Sequence, residues 1–211
     1  ATNKVGSIAG TAISSATYLR RITPDRSATV PAAGLALAGA VMGAMLAAIV
    51  PEALFRPIIL VVLVAVALFT LLKPSLGQEA QLRFPPDSVA HHGVAWTLGF
   101  FVGVYDGVLG PGTGSFLVIG FVALVGFSFL QATASAKVVN LATNLGALLF
   151  FIPAGHVVWS LGLALAAGNL AGGYLGARVA IRFGSGFVRV VFIVVVAALV
   201  VSMGWDVLRG R

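Results

Sequence analysis

The sequence predicts an all-α polytopic membrane protein: two internal repeats of transmembrane helices, inverted to one another, with a glycine-rich broken helix or hairpin between them. Three observations carry the prediction: the composition, an ungapped repeat at an offset of 133 residues, and the interruption "GVYDGVLGPGTGSF" at 103–116. Hydrophobic residues make up 59% of the 211 and charged residues 9%, with a mean hydropathy of +1.06. Soluble domains carry about 25% charged residues. The runs "PIILVVLVAVALFTLL" (57–72) and "FVRVVFIVVVAALVVSMGW" (187–205) reach or approach the ~20 residues that cross a bilayer core. The alternating ten-residue strands of an outer-membrane barrel are absent.

Thirteen Lys and Arg against six Asp and Glu give a net charge of +7. The basic residues cluster in short loops, as the positive-inside rule expects. No basic patch interleaved with aromatics is present, so nucleic acid is set aside as a partner. The absence of cysteine excludes disulfides, thiolate metal sites and cysteine nucleophiles. No His/Glu metal spacing and no Ser/His pair on one helix face is present, so neither enzyme, metal nor cofactor is expected.

The first repeat, 1–72, reads as helices at 5–19, 30–50 and 57–72. A polar linker, "KPSLGQEAQLRFPPDSVAHH" (73–92), follows on the cytoplasmic side, with His91 and His92 expected in solvent. The second repeat, 93–211, holds the broken segment 93–130 and helices at 137–153, 157–181 and 187–206. The offset places Lys4 on Lys137, Val5 on Val138, Gly39 on Gly172, Gly43 on Gly176 and Arg56 on Arg189. Lys, two spaced glycines and Arg in one register are a stronger signal than the cheap Ala and Val matches. The patterns "GAVMGA" (39–44) and "GGYLGA" (172–177) allow helices to approach closely. Trp96, Trp159 and Trp205 fall near span ends, as interfacial anchors do.

Loop charges set the topology. The 38 residues of 93–130 would form a helix of roughly 57 Å, too long for one crossing. An out-and-back path places Arg20, Arg21, Arg26, Lys73, Arg83, Lys137, Arg178, Arg182 and Arg189 on one side, and only Arg56, Arg209 and Arg211 on the other. The first side is then cytoplasmic and the repeats are inverted. A single crossing would make them parallel and split the charges seven against five.

Backbone that leaves helical geometry at bilayer depth must be buried in protein or line a watery cavity. Gly107, Gly110, Gly112 and Gly114 permit such a turn, and Pro111 ends the helix before it. The helix restarting near Ser115 offers free N–H groups to an anion, so Gly112, Thr113, Gly114 and Ser115 are candidate ligands. Interrupted helices at a repeat interface are the usual pointer to a transporter's site. A tight surface hairpin is the alternative. Lys137, Asn140 and Asn144 lie at i, i+3 and i+7 on one helix face, and Thr133 extends it. Lys4, Ser7 and Thr11 repeat the stripe in the first half. Either lysine could instead snorkel to the interface. Asp106 stands next to the turn, with three open roles: an ion pair with Lys137, a coupling proton, or hydrogen bonds to the turn.

These residues carry a resemblance. "GFFVGVYDGVLGPGTGSF" (99–116) followed by "ATASAKVVNLATNLGALLFF" (132–151) resembles the second half of the sulfite exporter TauE/SafE family, and "ATNKVGSIAGTAISSATYLRR" (1–21) resembles the equivalent helix of its first half. The resemblance implies a secondary active transporter of small anions, among them sulfite, sulfonates and related organic anions, exported by alternating access. It carries the motif onto Asp106, Gly107, Gly110, Gly112, Gly114, Lys137, Asn140 and Asn144, with Asn3 and Lys4 from the first half. The family has a further broken segment before its first lysine helix, which is expected here about 20 to 30 residues ahead of Ala1. The partners implied are a small anionic substrate, the lipid bilayer and a coupling proton or cation, with homo-oligomerisation open. The location is the cell membrane, multi-pass, and the inner membrane in a Gram-negative bacterium. An anion channel of similar build and a non-transporting membrane subunit are the rival readings.

Overall fold

A computed structural model describes residues 1–47 and 77–208, with 59–61, 64, 65, 68, 70 and 72 between them. Most of the described residues are helical, with no strand among them. The helices whose bounds lie within the described residues are α1 (Thr2–Leu19), α2 (Arg26–Ala47), α3 (Val89–Val108), α4 (Thr113–Gly120), α5 (Phe129–Phe151) and α6 (Trp159–Leu208). The expected helix at 57–72 lies largely outside the described residues, as do Arg56, Lys73, Arg209 and Arg211 of the charge count.

Local chemistry explains where helices start earlier than the apolar pattern suggests. Asp25 Oδ1 accepts the Ala28 N–H at 3.2 Å, an N-terminal cap that begins α2 well before Pro31. Pro31 then lies inside the helix, where it removes one backbone bond. Ser128 and Gln131 close a capping box that starts α5 at Phe129 instead of 137. α6 is 50 residues long, but Gly184 breaks it with φ 76° and ψ −170°, between the two helices expected at 157–181 and 187–206. Helical residues Trp159–Ser202 would span about 66 Å unbroken, twice a bilayer core of about 30 Å. Among the described residues, α2, α5 and this stretch of α6 are long and apolar enough to cross a membrane.

α2 packs on α3 and α5, while α1 packs on α6 and α5. The α2–α3 contact is made backbone to backbone. A Cβ on Gly43 would stand 2.1 Å from the Val104 carbonyl oxygen, and one on Gly103 would stand 2.3 Å from that of Ala36. Small residues are therefore required where these helices cross. The second small-residue pattern behaves differently: Gly173 lies against the Gly10 carbonyl, whereas Gly172 and Gly176 face open space.

The polar linker departs from its expectation. Ser88 caps α3 by accepting the His91 N–H at 3.1 Å, so 89–92 are helical. His91 is fully buried, not solvated: its Nε2 lies 2.8 Å from Asp25 Oδ2 and its ring packs on Phe127. His92 stacks on Trp96 and meets the Ser27 hydroxyl at 3.1 Å. A polar partner 66 residues away in sequence explains how an imidazole can be buried here. The linker also bonds to the far end of the broken segment, through Gln81 N–H to the Gly126 carbonyl (2.8 Å) and Arg83 N–H to that of Val125 (3.1 Å).

Candidate functional site

The site grows from the interruption between α3 and α4. α3 stops at Val108, and the chain turns through Leu109–Gly112 with Gly110 at φ 91° and Gly112 at φ 82°. Both angles fall in the left-handed region, which only glycine adopts freely. The break therefore precedes Pro111, and the helix restarts at Thr113, two residues before Ser115. α4 has eight residues and runs on into one π-helical turn, Phe121–Val125, which ends at Gly126 in the left-handed region. These 13 residues span about 20 Å, too short to cross a bilayer core.

Asp106, one turn before the end of α3, is 2% exposed and holds the turn together. Its Oδ1 accepts the Thr113 hydroxyl at 2.6 Å. Its Oδ2 meets the Lys4 ammonium at 2.5 Å, as an ion pair more than as an aligned hydrogen bond. Lys4 also donates to the Asp106 backbone carbonyl at 2.9 Å. Of the partners open to Asp106 from sequence, Lys137 is thus not the one it takes. Lys4, from the other half of the chain, pairs with it. Tyr105 donates to the Pro111 carbonyl and packs edge-on against Phe116, which braces the other side of the turn.

Two cavities flank the turn. The smaller, about 220 Å³, is lined by Asn3, Lys4, Asp106, Gly112, Thr113 and Asn144 among others. The larger, about 520 Å³, is lined by Lys137 and Ser115 on one side and by an apolar wall of α6 on the other. Gly114 and Asn140 line both. Lys137 makes no ion pair and no hydrogen bond among the described residues. The Gly114 and Ser115 N–H groups, in the first turn of α4, likewise have no acceptor among them. Asn140 Nδ2 has none either and lies 3.7 Å from where a Cβ on Gly114 would sit.

The other candidates are committed elsewhere. Asn144 is 2% exposed and donates to the Asn140 backbone carbonyl at 2.8 Å and to its Oδ1 at 3.3 Å, which spends the amide expected for a ligand. The Thr11 hydroxyl donates to the Ser7 carbonyl at 2.8 Å, and Thr11 lines neither cavity. Thr133 returns its hydroxyl to the Phe129 carbonyl at 2.7 Å. Asn3 is exposed at the rim of the smaller cavity. Lys4 and Lys137, matched by the 133-residue offset, therefore differ: among the described residues Lys4 has a counter-charge and Lys137 has none.

The model of the sulfite exporter TauE/SafE family matches residues 1–203, and the chain belongs to that family. It is 37% identical over 202 residues to "Probable membrane transporter protein ORF9" of Sinorhizobium sp, covering 96% of this chain and 76% of that protein. It is 32% identical over 208 residues to "Probable membrane transporter protein YfcA" of Escherichia coli K12, covering 98% of this chain and 75% of that protein. The chain thus spans about three quarters of these relatives. No solved structure matches. The protein is a permease of the cell membrane, not an enzyme.

Proposed function

We propose that the protein is a secondary active transporter that exports small oxoanions, such as sulfite, sulfonates or related organic anions, by alternating access. The observation that carries this reading is the pair of unlike lysines. Lys4 is neutralised by Asp106, whereas Lys137 lines a 520 Å³ cavity without a counter-charge among the described residues. An unpaired ammonium inside a helical bundle is unfavourable, and an anion relieves it. The Gly114 and Ser115 N–H groups and Asn140 Nδ2 supply neutral donors on the same cavity wall. Asp106 serves as counter-charge to Lys4, and a coupling proton arriving there would release α1 from the turn.

Alternating access fits inverted repeats; one set of contacts supports a twofold relation between the halves, and a second supports the path that would invert them. A Cβ on Gly146 of α5 would stand 3.2 Å from Ala40 of α2, and one on Gly173 of α6 would stand 3.1 Å from Ile13 of α1. Subtracting 133 from 146 gives 13, and from 173 gives 40, so one contact is the other with its halves exchanged. The linker bonds to Val125 and Gly126 support an out-and-back path for the broken segment.

The test is flux into proteoliposomes across sulfite, sulfate, taurine, sulfoacetate and carboxylates, with and without a pH gradient. Saturable, gradient-dependent movement of a sulfur oxoanion or sulfonate is expected. Flux that neither saturates nor responds to the gradient would make the protein a channel and overturn the reading.

A further inference from the structure

A third hollow, of about 550 Å³, opens between the C-terminal end of α1 and the part of α6 just before Gly184. Arg20 and Arg21 line it from α1, and Arg178 and Arg182 from α6. No carboxylate lines it, and none of the four arginines makes an ion pair among the described residues. The volume lies in the range of ligand pockets, about 300–1,000 Å³.

The positive-inside rule accounts for arginines on this side of the chain, but not for four of them converging on one concavity. Arg178 and Arg182 stand one turn apart, where like charges repel. Each is held over an aromatic face, Arg178 5.0 Å from the Tyr174 ring centre and Arg182 5.6 Å from that of Phe183. These exposed contacts weakly bias the two guanidinium groups toward the hollow. Val179, Ile181 and Phe183 add an apolar wall beside the charges. Guanidinium forks match a tetrahedral phosphoryl group, and basic pockets between transmembrane helices suit anionic head groups.

We propose that this hollow is a second anion site, separate from the Lys137 cavity, which takes a phosphoryl oxoanion presented by an anionic phospholipid head group or by free phosphate. It shares only Val179 with the lining of that cavity. Ligand bound there ties α1 to α6, two helices that pack on each other and both line the Lys137 cavity.

The experiment measures melting temperature of the purified full chain at constant ionic strength against phosphatidylglycerol, phosphatidylcholine and inorganic phosphate. A ligand that binds only the folded state raises it in a saturable way. Phosphatidylglycerol is expected to stabilise and phosphatidylcholine not. Arg178→Gln/Arg182→Gln should raise the half-saturating concentration by roughly a hundredfold, about tenfold per lost charge-assisted contact. Arg178→Lys/Arg182→Lys keeps the charge for insertion but removes the fork, and should raise it several-fold. Stabilisation by phosphate that the same substitutions abolish identifies the free anion as a ligand. Stabilisation by phosphatidylglycerol alone identifies the head group. Lys137→Met should leave the response unchanged. Equal response in wild type and both arginine variants, or none to phosphatidylglycerol or phosphate in wild type, overturns the proposal.

Discussion

One substitution made at two positions matched by the 133-residue offset should have two different consequences. Lys4→Met removes the partner of Asp106, whose carboxylate is 2% exposed and only 2.5 Å from the ammonium. Removing one member of a buried pair leaves the other charge uncompensated, at about 3–5 kcal/mol. For a chain of this size 1 kcal/mol moves the melting temperature by roughly 2–4 °C, so Lys4→Met should melt about 6–20 °C lower. Lys4→Met/Asp106→Asn takes both charges away and should recover much of that loss. Lys137→Met removes a charge that no described residue neutralises, so its melting temperature should not fall. Its transport should, because a charge-assisted hydrogen bond of about 1.5–3 kcal/mol corresponds to roughly 10–150-fold in affinity. Melting is read by fluorescence-detected size exclusion, and transport by flux at equal reconstituted amounts. A Lys4→Met protein as stable as wild type, or a Lys137→Met protein with normal rate and apparent affinity, refutes the division of roles.

Three further outcomes follow from particular contacts. Gly43→Ala should destabilise by about 1–3 kcal/mol, since its Cβ would lie 2.1 Å from a backbone oxygen that cannot rotate away. Gly176→Ala, matched to it by the 133-residue offset, meets nothing within 4 Å and should melt like wild type. Gly112→Ala places a side chain at φ 82°, which costs roughly 1–2 kcal/mol, and should reduce flux by displacing the Gly114 and Ser115 N–H groups. Burial raises the Asp25 pKa, but hydrogen bonds from Ser27, His91 and the Ala28 N–H outweigh it and hold the value below the ordinary 3.8. A carboxylate with a depressed folded pKa stabilises above its unfolded value and loses that contribution as pH falls through the folded one. Wild type should therefore melt above Asp25→Asn at neutral pH, with a lead that shrinks below about pH 3.8. A lead undiminished at pH 3 would count against the assignment.

Much of the candidate site was readable because its signals are local. Gly110 and Gly112 announce the break by composition, and Lys137 and Asn140 share a face through helical periodicity alone. The start of α5 was readable too, since Ser128 and Gln131 form a capping signature, yet the apolar pattern placed it at 137. The partner of Asp106 was not readable. Lys4 lies 102 residues away and occupies the same register position as Lys137, so nothing along the chain separates them. His91 was misjudged for the same reason, because its polar neighbours in sequence suggested water while Asp25 waited on another element.

Hydropathy and composition along the chain are enough to read a helical membrane protein and the residues of the turn, with two related halves as an expectation. Those follow from hydropathy and backbone preference, which act over a few neighbouring residues. Which lysine meets Asp106, which asparagine is spent on its neighbour, and which glycines support a helix crossing emerge from the packing of the helices. Those outcomes depend on distances between helices, and a buried charge takes whichever opposite charge the packing brings within reach.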